Sequence, residues 1–362
     1  MSIDDIALVI ANIQPKDAVY LTKTVGGARE LLSMQYKDLS ALGLSSTVID
    51  RLKAKDLYER AEQELDFIEK YRVRPLLYGS PEYPKMLEEC IDAPYMLFVK
   101  GDIDFNANNK WLSVVGTRNN TPYGISFTET FIRDISKRYQ EAVIVSGLAY
   151  GTDSVAHRSA LSNNLQTVAV LAHGLKTIYP VANRSLASRI IEKGGALVTE
   201  FPSYVQPLRH AFLQRNRIVA GLSIGTVVVE SPFKGGSMST ANIADSYSRD
   251  VFAVPGRIND ENSAGCNNLI RNSKAGMVCS LADVEAVLGW EMKNKQLEIP
   301  LFEPALEGSD KVIYDLLKNG EKSADQLIEE SGLSAGVFSS LVCKLEIMGF
   351  VRAVRGKMYI RL

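Results

Sequence analysis

The sequence predicts a central α/β domain built on a doubly wound, Rossmann-like sheet, with a small all-α domain before it and a winged helix after it. Three observations predict this. Between Trp111 and Trp290, apolar β-branched runs alternate with helical patterns; from Ile3 to Tyr71 only three- and four-residue apolar spacing occurs; and after Gly308 three helical stretches lead into a short β-ribbon. At 362 residues the chain is too long for one ordinary core and long enough for two or three. The expected boundaries are 1–72 for the helical domain, 73–290 for the extended α/β domain, 291–307 for a charged linker and 308–362 for the winged helix.

Within the helical domain, Asp38 to Ser45 puts Gly43 after one short helix and Ser45 before the next, as a helix-hairpin-helix does, although an ordinary helix turn fits equally. From Arg74 to Gly101 prolines and aromatics (Tyr78, Pro81, Tyr83, Pro84, Pro94, Tyr95, Phe98) predict a structured connector lying on the next domain. Strands are then expected at Leu112–Val115, Ala142–Val145, Thr167–Leu171, Ala196–Val198, Thr226–Val229 and Val251–Val254. Such continuous apolar runs mark strands buried on both faces, and the helices between them make the sheet parallel. In the last domain, helices at Lys311–Leu317, Ala324–Ser331 and Ala335–Met348 precede a wing at Gly349–Val351 and Met358–Ile360. Its third helix carries only Lys344 as a base among Ser339, Ser340, Cys343 and Glu346, so protein contact is favoured over DNA reading there.

Hydrophobic residues at 46% and charged residues at 23% suit a globular protein, and no apolar run approaches the length of a membrane span. Asp4 and Asp5 stand where a secretory signal wants Lys or Arg, and the four cysteines (Cys90, Cys266, Cys279, Cys343) form no C-x-x-C pair. A cytoplasmic protein with reduced thiols and no metal is expected. With a net charge of -1, any polyanion site must be a local patch.

Ligands of open α/β sheets bind outside the carboxyl ends of the strands. Those ends are Gly116-Thr117-Arg118, Ser146-Gly147, Ala172-His173-Gly174, Thr199-Glu200, Glu230-Ser231 and Pro255-Gly256. Glycines clustered at one edge (Gly116, Gly147, Gly151, Gly174, Gly235, Gly236) let a phosphate approach the main chain. Neither G-x-G-x-x-G nor G-x-x-x-x-G-K-[ST] occurs, so a dinucleotide coenzyme and a P-loop nucleotide both lose support and no cofactor is expected. Positive charge gathers in Pro207 to Arg217, read as a loop entering a helix, where Arg209 and Phe212 stand about one turn apart. Phe212 could stack on a base or pack in the core; Arg217 could pair with Glu200 or Glu230. Stacking on aromatic rings holds single strands without a base code. The three histidines (His157, His173, His210) show no metal spacing, G-x-S-x-G is absent, and no nucleophile and base present themselves, so no enzyme is expected.

Several segments, as they stand, resemble the DprA/Smf family: VVGTRNNTPYG (Val114 to Gly124), SGLAYGTDSVAH (Ser146 to His157), TVAVLAHGLKTIYPVAN (Thr167 to Asn183), FLQRNRIVAGLS (Phe212 to Ser223), VVVESPFKGGSMSTANIA (Val227 to Ala244), VFAVPG (Val251 to Gly256) and GCNNLI (Gly265 to Ile270). The flanking parts also resemble family extensions, an N-terminal SAM-like or helix-hairpin-helix domain and a C-terminal winged helix. The resemblance implies a non-catalytic protein that binds and protects incoming single-stranded DNA during natural transformation, loads the RecA recombinase onto it and works as a homodimer. It implies Arg118 as a phosphate contact, Arg209 and Phe212 for phosphate and base, and Gly174 near the DNA path. Two departures stand out: Gly235 to Ala241 replaces the family's S-G-[ST]-L-x-T-A, and Ala172-His173 displaces the glycine after Leu171. The candidate contacts are Gly116, Thr117, Arg118, Ser146, Gly147, Gly174, Arg209, Phe212, Arg215, Asn216, Gly236 and Ser237. Two other readings compete. A phosphoribohydrolase would want P-G-G-x-G-T-x-x-E, but no Glu follows Thr240 in that span; a transcriptional regulator would work through the winged helix.

Overall fold

The computed structural model describes residues 2–290, 306–318, 320–354 and 358–361, in two compact units, Met1–Glu291 and Met292–Leu362. All but the last two residues of the expected linker 291–307 lie outside the described residues.

The first unit opens with six helices: α1 (Ile3–Ile10), α2 (Pro15–Val25), α3 (Ala28–Ser33), α4 (Tyr36–Ala41), α5 (Ser46–Leu52) and α6 (Leu57–Tyr71). A capping box between Ser2 and Asp5 starts α1, and Gly26, at φ 100°, ends α2 in the left-handed conformation that glycine adopts most easily. Gly43, at φ 87°, turns α4 into α5; Ser45 occupies the N-cap position without a side-chain capping bond. The apolar faces meet around Ile6, Leu8, Leu31, Leu39, Ile49 and Leu57. That core is not closed by helices alone, because Met96 and Phe98 of the following sheet belong to it and the Tyr95 hydroxyl donates to Asp5 (2.8 Å).

After α6 come β1 (Arg74–Leu77), α7 (Lys85–Glu88), β2 (Met96–Gly101), β3 (Trp111–Val115), α8 (Pro122–Arg138), β4 (Val143–Ser146), α9 (Thr152–Ser162), β5 (Gln166–Val170), α10 (Arg184–Glu192), β6 (Ala196–Thr199), α11 (Arg209–Gly221), β7 (Gly225–Val228), α12 (Gly236–Ser246), β8 (Asp250–Ala253), α13 (Ala264–Arg271), β9 (Gly276–Met277) and α14 (Leu281–Leu288). The sheet has nine strands in the order β1-β2-β6-β5-β4-β3-β7-β8-β9, parallel from β6 to β9 and antiparallel at β1 and β2. Each of the six expected strands lies within one residue of its observed bounds. The sheet is therefore mixed rather than wholly parallel, and the connector corrects that expectation: instead of lying on the domain, its two ends join the sheet. Pro75 is tolerated in β1 because β1 is the edge strand, where a missing N–H costs no ladder bond.

Strand order reverses between β3 and β7, which pair in register Val115↔Val228. The carboxyl ends of the strands at such a switch point are the place where open α/β sheets take ligands. Two apolar layers cover the sheet, one with Val115, Val145 and Val170, the other with Leu112, Ile144 and Phe252.

The second unit comprises α15 (Gly308–Leu316), β10 (Lys322–Ser323), α16 (Ala324–Ser331), α17 (Ala335–Ile347), β11 (Val351–Val354) and β12 (Met358–Arg361). Its three strands run in the order β10-β12-β11, and Ile313, Leu327, Phe338, Leu345 and Val351 fill the core, giving a winged helix. Lys344 of α17 donates to Asp310 at 2.5 Å. No described helix is long and apolar enough to cross a membrane.

Candidate nucleic-acid interface

The loop leaving β3 is pinned at the switch point. The Thr117 N–H donates to the Glu230 carbonyl just beyond β7 (2.7 Å), and the Thr152 N–H at the start of α9 donates to the Thr117 carbonyl (3.2 Å). The Thr121 N–H and hydroxyl both donate to the Glu230 carboxylate, at 2.8 and 2.6 Å. Gly116 permits this closeness, since a Cβ there would stand 2.4 Å from Thr152 Oγ1. With its backbone held from both sides, the loop turns the Arg118 side chain outward, where it is exposed.

The Arg118 guanidinium lies over the Phe212 ring, 5.3 Å from its centroid, and Phe212 meets Tyr179 edge-on at 5.9 Å. Phe212 is half-buried, so it closes the surface while keeping a face beside two exposed partners. Tyr179 is held through its N–H, which donates to His173 Nε2 (3.2 Å), while His173 Nδ1 meets the Gly174 carbonyl (2.9 Å). Burial pushes the His173 pKa down, which keeps the ring neutral, with Nδ1 as donor and Nε2 as acceptor.

Arg209 opens α11, and Leu208 at the N-cap supplies no side-chain acceptor. Lys234 precedes α12, whose N-cap, Gly235, also lacks one. Helix N-termini favour negative charge, so basic residues there are electrostatically unmatched until an anion arrives. No carboxylate pairs with Arg118, Arg209 or Lys234 among the described residues.

The sequence-predicted residues separate into two layers. Gly116, Thr117, Arg118, Arg209, Phe212, Asn216 and Gly236 reach the surface at least in part. Five others are buried, which corrects their expected role as contacts. Ser146 gives its hydroxyl to the Val114 carbonyl (2.7 Å), and Ser237 gives its own to Ser231 (2.8 Å). The Gly174 N–H donates to the Val205 carbonyl (2.9 Å), and a Cβ on Gly174 would stand 2.0 Å from the Pro202 carbonyl. Arg215 is 4% exposed and spends Nη1 on the Val170 carbonyl (2.6 Å). Its guanidinium crosses the place a Gly147 side chain would take. Desolvation lowers the Arg215 pKa and raises that of Asp153, and their mutual attraction opposes both shifts. These five support the surface from below.

The alternatives left open for Arg217 resolve in favour of Glu200, with which it forms a buried ion pair; Glu230 is committed to Thr121. His157 is wholly buried, bonds Thr167 Oγ1 through Nδ1 (2.7 Å), and is pushed down to about 3 by burial and by Arg215.

Sequence reasoning missed three contributors. Tyr179 lies in a segment read only as part of a motif, and the only signal available was an aromatic residue just before Pro180. Glu64 and Arg60 of α6 gave none, because their partners lie far along the chain. The Glu64 carboxylate accepts the Ser203 N–H (2.8 and 3.0 Å) and hydroxyl (2.8 Å), and Arg60 donates to the Tyr204 hydroxyl (2.8 Å). Ser203 in turn accepts the Lys176 N–H (3.2 Å). The helical region thus holds the segment on which the Gly174–Tyr179 loop rests.

Residues 74–289 match the family described as DNA recombination-mediator protein A, and residues 301–357 match the DprA winged helix domain. The chain belongs to the DprA/Smf family. Protein Smf of Escherichia coli K12 is 35% identical over 309 residues, covering 83% of this chain and 80% of the relative. DNA processing protein DprA of Streptococcus pneumoniae R6 is 42% identical over 204 residues, covering 56% of this chain and 70% of the relative. A solved structure of Streptococcus pneumoniae DprA superposes with a TM-score of 0.67 at 31% identity, over 79% of this chain and 98% of that one. DNA processing protein A of Helicobacter pylori, whose structure is described as giving insight into its unique single-stranded DNA binding mode, superposes with a TM-score of 0.54 at 30% identity, over 61% of this chain and 97% of that one. The DprA-family match begins at β1 and ends just after α14, so the whole mixed sheet, including its antiparallel edge, falls inside it.

Proposed function

We propose that this DprA/Smf chain binds single-stranded DNA, with little regard to base sequence, along the carboxyl edge of its sheet. The observation that carries the reading is the Arg118–Phe212–Tyr179 contact, a free guanidinium beside two aromatic rings at the switch point. A cation placed for a phosphate next to rings placed for bases is the pattern by which single strands are held without a base code. Arg209 and the uncapped starts of α11 and α12 extend the positive edge.

In this reading the site performs no covalent step. The protein coats and protects the strand in the cytoplasm and, as a homodimer, delivers it to the RecA recombinase, as its resemblance to the family implies. Fluorescence anisotropy with labelled single-stranded and duplex oligonucleotides at two salt concentrations tests the binding. Single strands should bind more tightly, and Arg209→Ala should weaken binding and flatten its salt dependence by about 0.7 in log–log slope, the amount expected for one lost phosphate on a single strand. Equal or tighter duplex binding would refute the proposal. RecA filament nucleation on DNA pre-bound by this protein tests the delivery step.

A further inference from the structure

Away from the sheet edge, one cavity joins apolar walls to free positive charge. It encloses about 230 Å³ between the last turn of α6 and α10, against Phe67, Tyr71, Leu175, Ile178 and Ile191. Its charged lining is Lys100, Lys176 and Arg184, with no Asp or Glu. None of the three pairs with a carboxylate among the described residues. Lys100 donates to the Tyr71 carbonyl, while Lys176 and Arg184 are exposed. Such a lining suits a flat, weakly polar body carried on a negatively charged chain.

Two features favour a nucleotide over an acidic peptide. Phe67 and Tyr71 form an aromatic pair with ring centroids 4.6 Å apart, and Tyr71 is 47% exposed with Lys70 Nζ 5.6 Å from its ring centroid, so an exposed aromatic surface stands beside a further cation. The cavity also adjoins the sheet-edge site through one loop: Lys176 and Ile178 line it, and the next residue, Tyr179, meets Phe212. The cavity wall and the sheet-edge aromatics are thus carried by consecutive residues of one loop.

We propose that this cavity is a second base-binding subsite, which takes one unstacked base of single-stranded DNA against Tyr71 while Lys176 and Arg184 meet its flanking phosphates. The inference rests on the sheet edge being a single-strand groove. Because α6 supplies the aromatic wall, the subsite exists only with the helical region in place.

Photo-cross-linking of the full-length protein to an oligothymidylate carrying 4-thiothymidine, with the linked peptides mapped by mass spectrometry, separates the possibilities. Cross-links are expected both at Phe67 to Tyr71 and at Tyr179 or Phe212. Tyr71→Ala should abolish the first set, keep the second and weaken binding about tenfold, in line with the loss of one stacked base. Arg184→Ala should lower the log–log salt slope by about 0.7. Cross-links at Tyr179 or Phe212 alone, with Tyr71→Ala binding as wild type, overturn the subsite and leave the sheet-edge groove standing. Loss of all binding and cross-linking in the wild type overturns the groove itself. Displacement from the cavity by an acidic, aromatic-bearing peptide, with the DNA still bound, assigns it to a protein partner and overturns the proposal.

Discussion

The Arg215 guanidinium occupies the space a side chain on Gly147 would need: a Cβ there would stand 1.8 Å from Nη1. Gly147→Ala should therefore displace Arg215 from the Val170 carbonyl and from Asp153. Overpacking of this kind costs about 1–3 kcal/mol, read as a fall in denaturation midpoint. An unchanged midpoint would mean that Arg215 has another resting place.

The Glu64–Ser203 contact makes the site depend on α6. Glu64→Ala leaves the Ser203 N–H and hydroxyl without their acceptor, which costs about 1–3 kcal/mol for a buried group. It should also weaken single-strand binding, and Glu64→Gln, which keeps an acceptor, should restore most of the loss. If Glu64→Ala loses stability but binds DNA as wild type, the 202–205 segment does not position the Tyr179 loop.

The position of His157 gives a pH dependence of known sign. Its folded pKa of about 3 lies below the ordinary 6.5, so the folded state resists protonation. The stability it contributes is present above pH 6.5 and is lost as pH falls from there towards 3, at about 1.4 kcal/mol per pH unit. Urea denaturation across that range should show this extra slope in wild type and lack it in His157→Gln. Parallel pH profiles for the two proteins would contradict the assignment.

How much of this was legible in the sequence depends on the range of the interaction. Runs such as Thr167 to Leu171 announced buried strands because both faces are covered, and Arg118 was identifiable because it follows a strand directly. Arg215 was misplaced because a base in an R-N-R run looks solvated, and only the tertiary fold supplies the Val170 carbonyl and Asp153 that let it sit inside. The β1–β2 pair was read as a connector because its two short strands are separated by a long proline- and aromatic-rich stretch containing α7, and no local pattern shows that they pair. Glu64 and Ser203 are separated by 139 residues, and no local pattern links them.

A double-mutant cycle on single-strand affinity, using Arg118→Ala, Phe212→Ala and the pair, tests the central claim most directly. If the two side chains form one contact surface for the strand, each single variant should weaken binding about tenfold or more, and the pair should lose less than the sum of the two. Wild-type affinity in both single variants would contradict the account and move the DNA away from the carboxyl edge of the sheet.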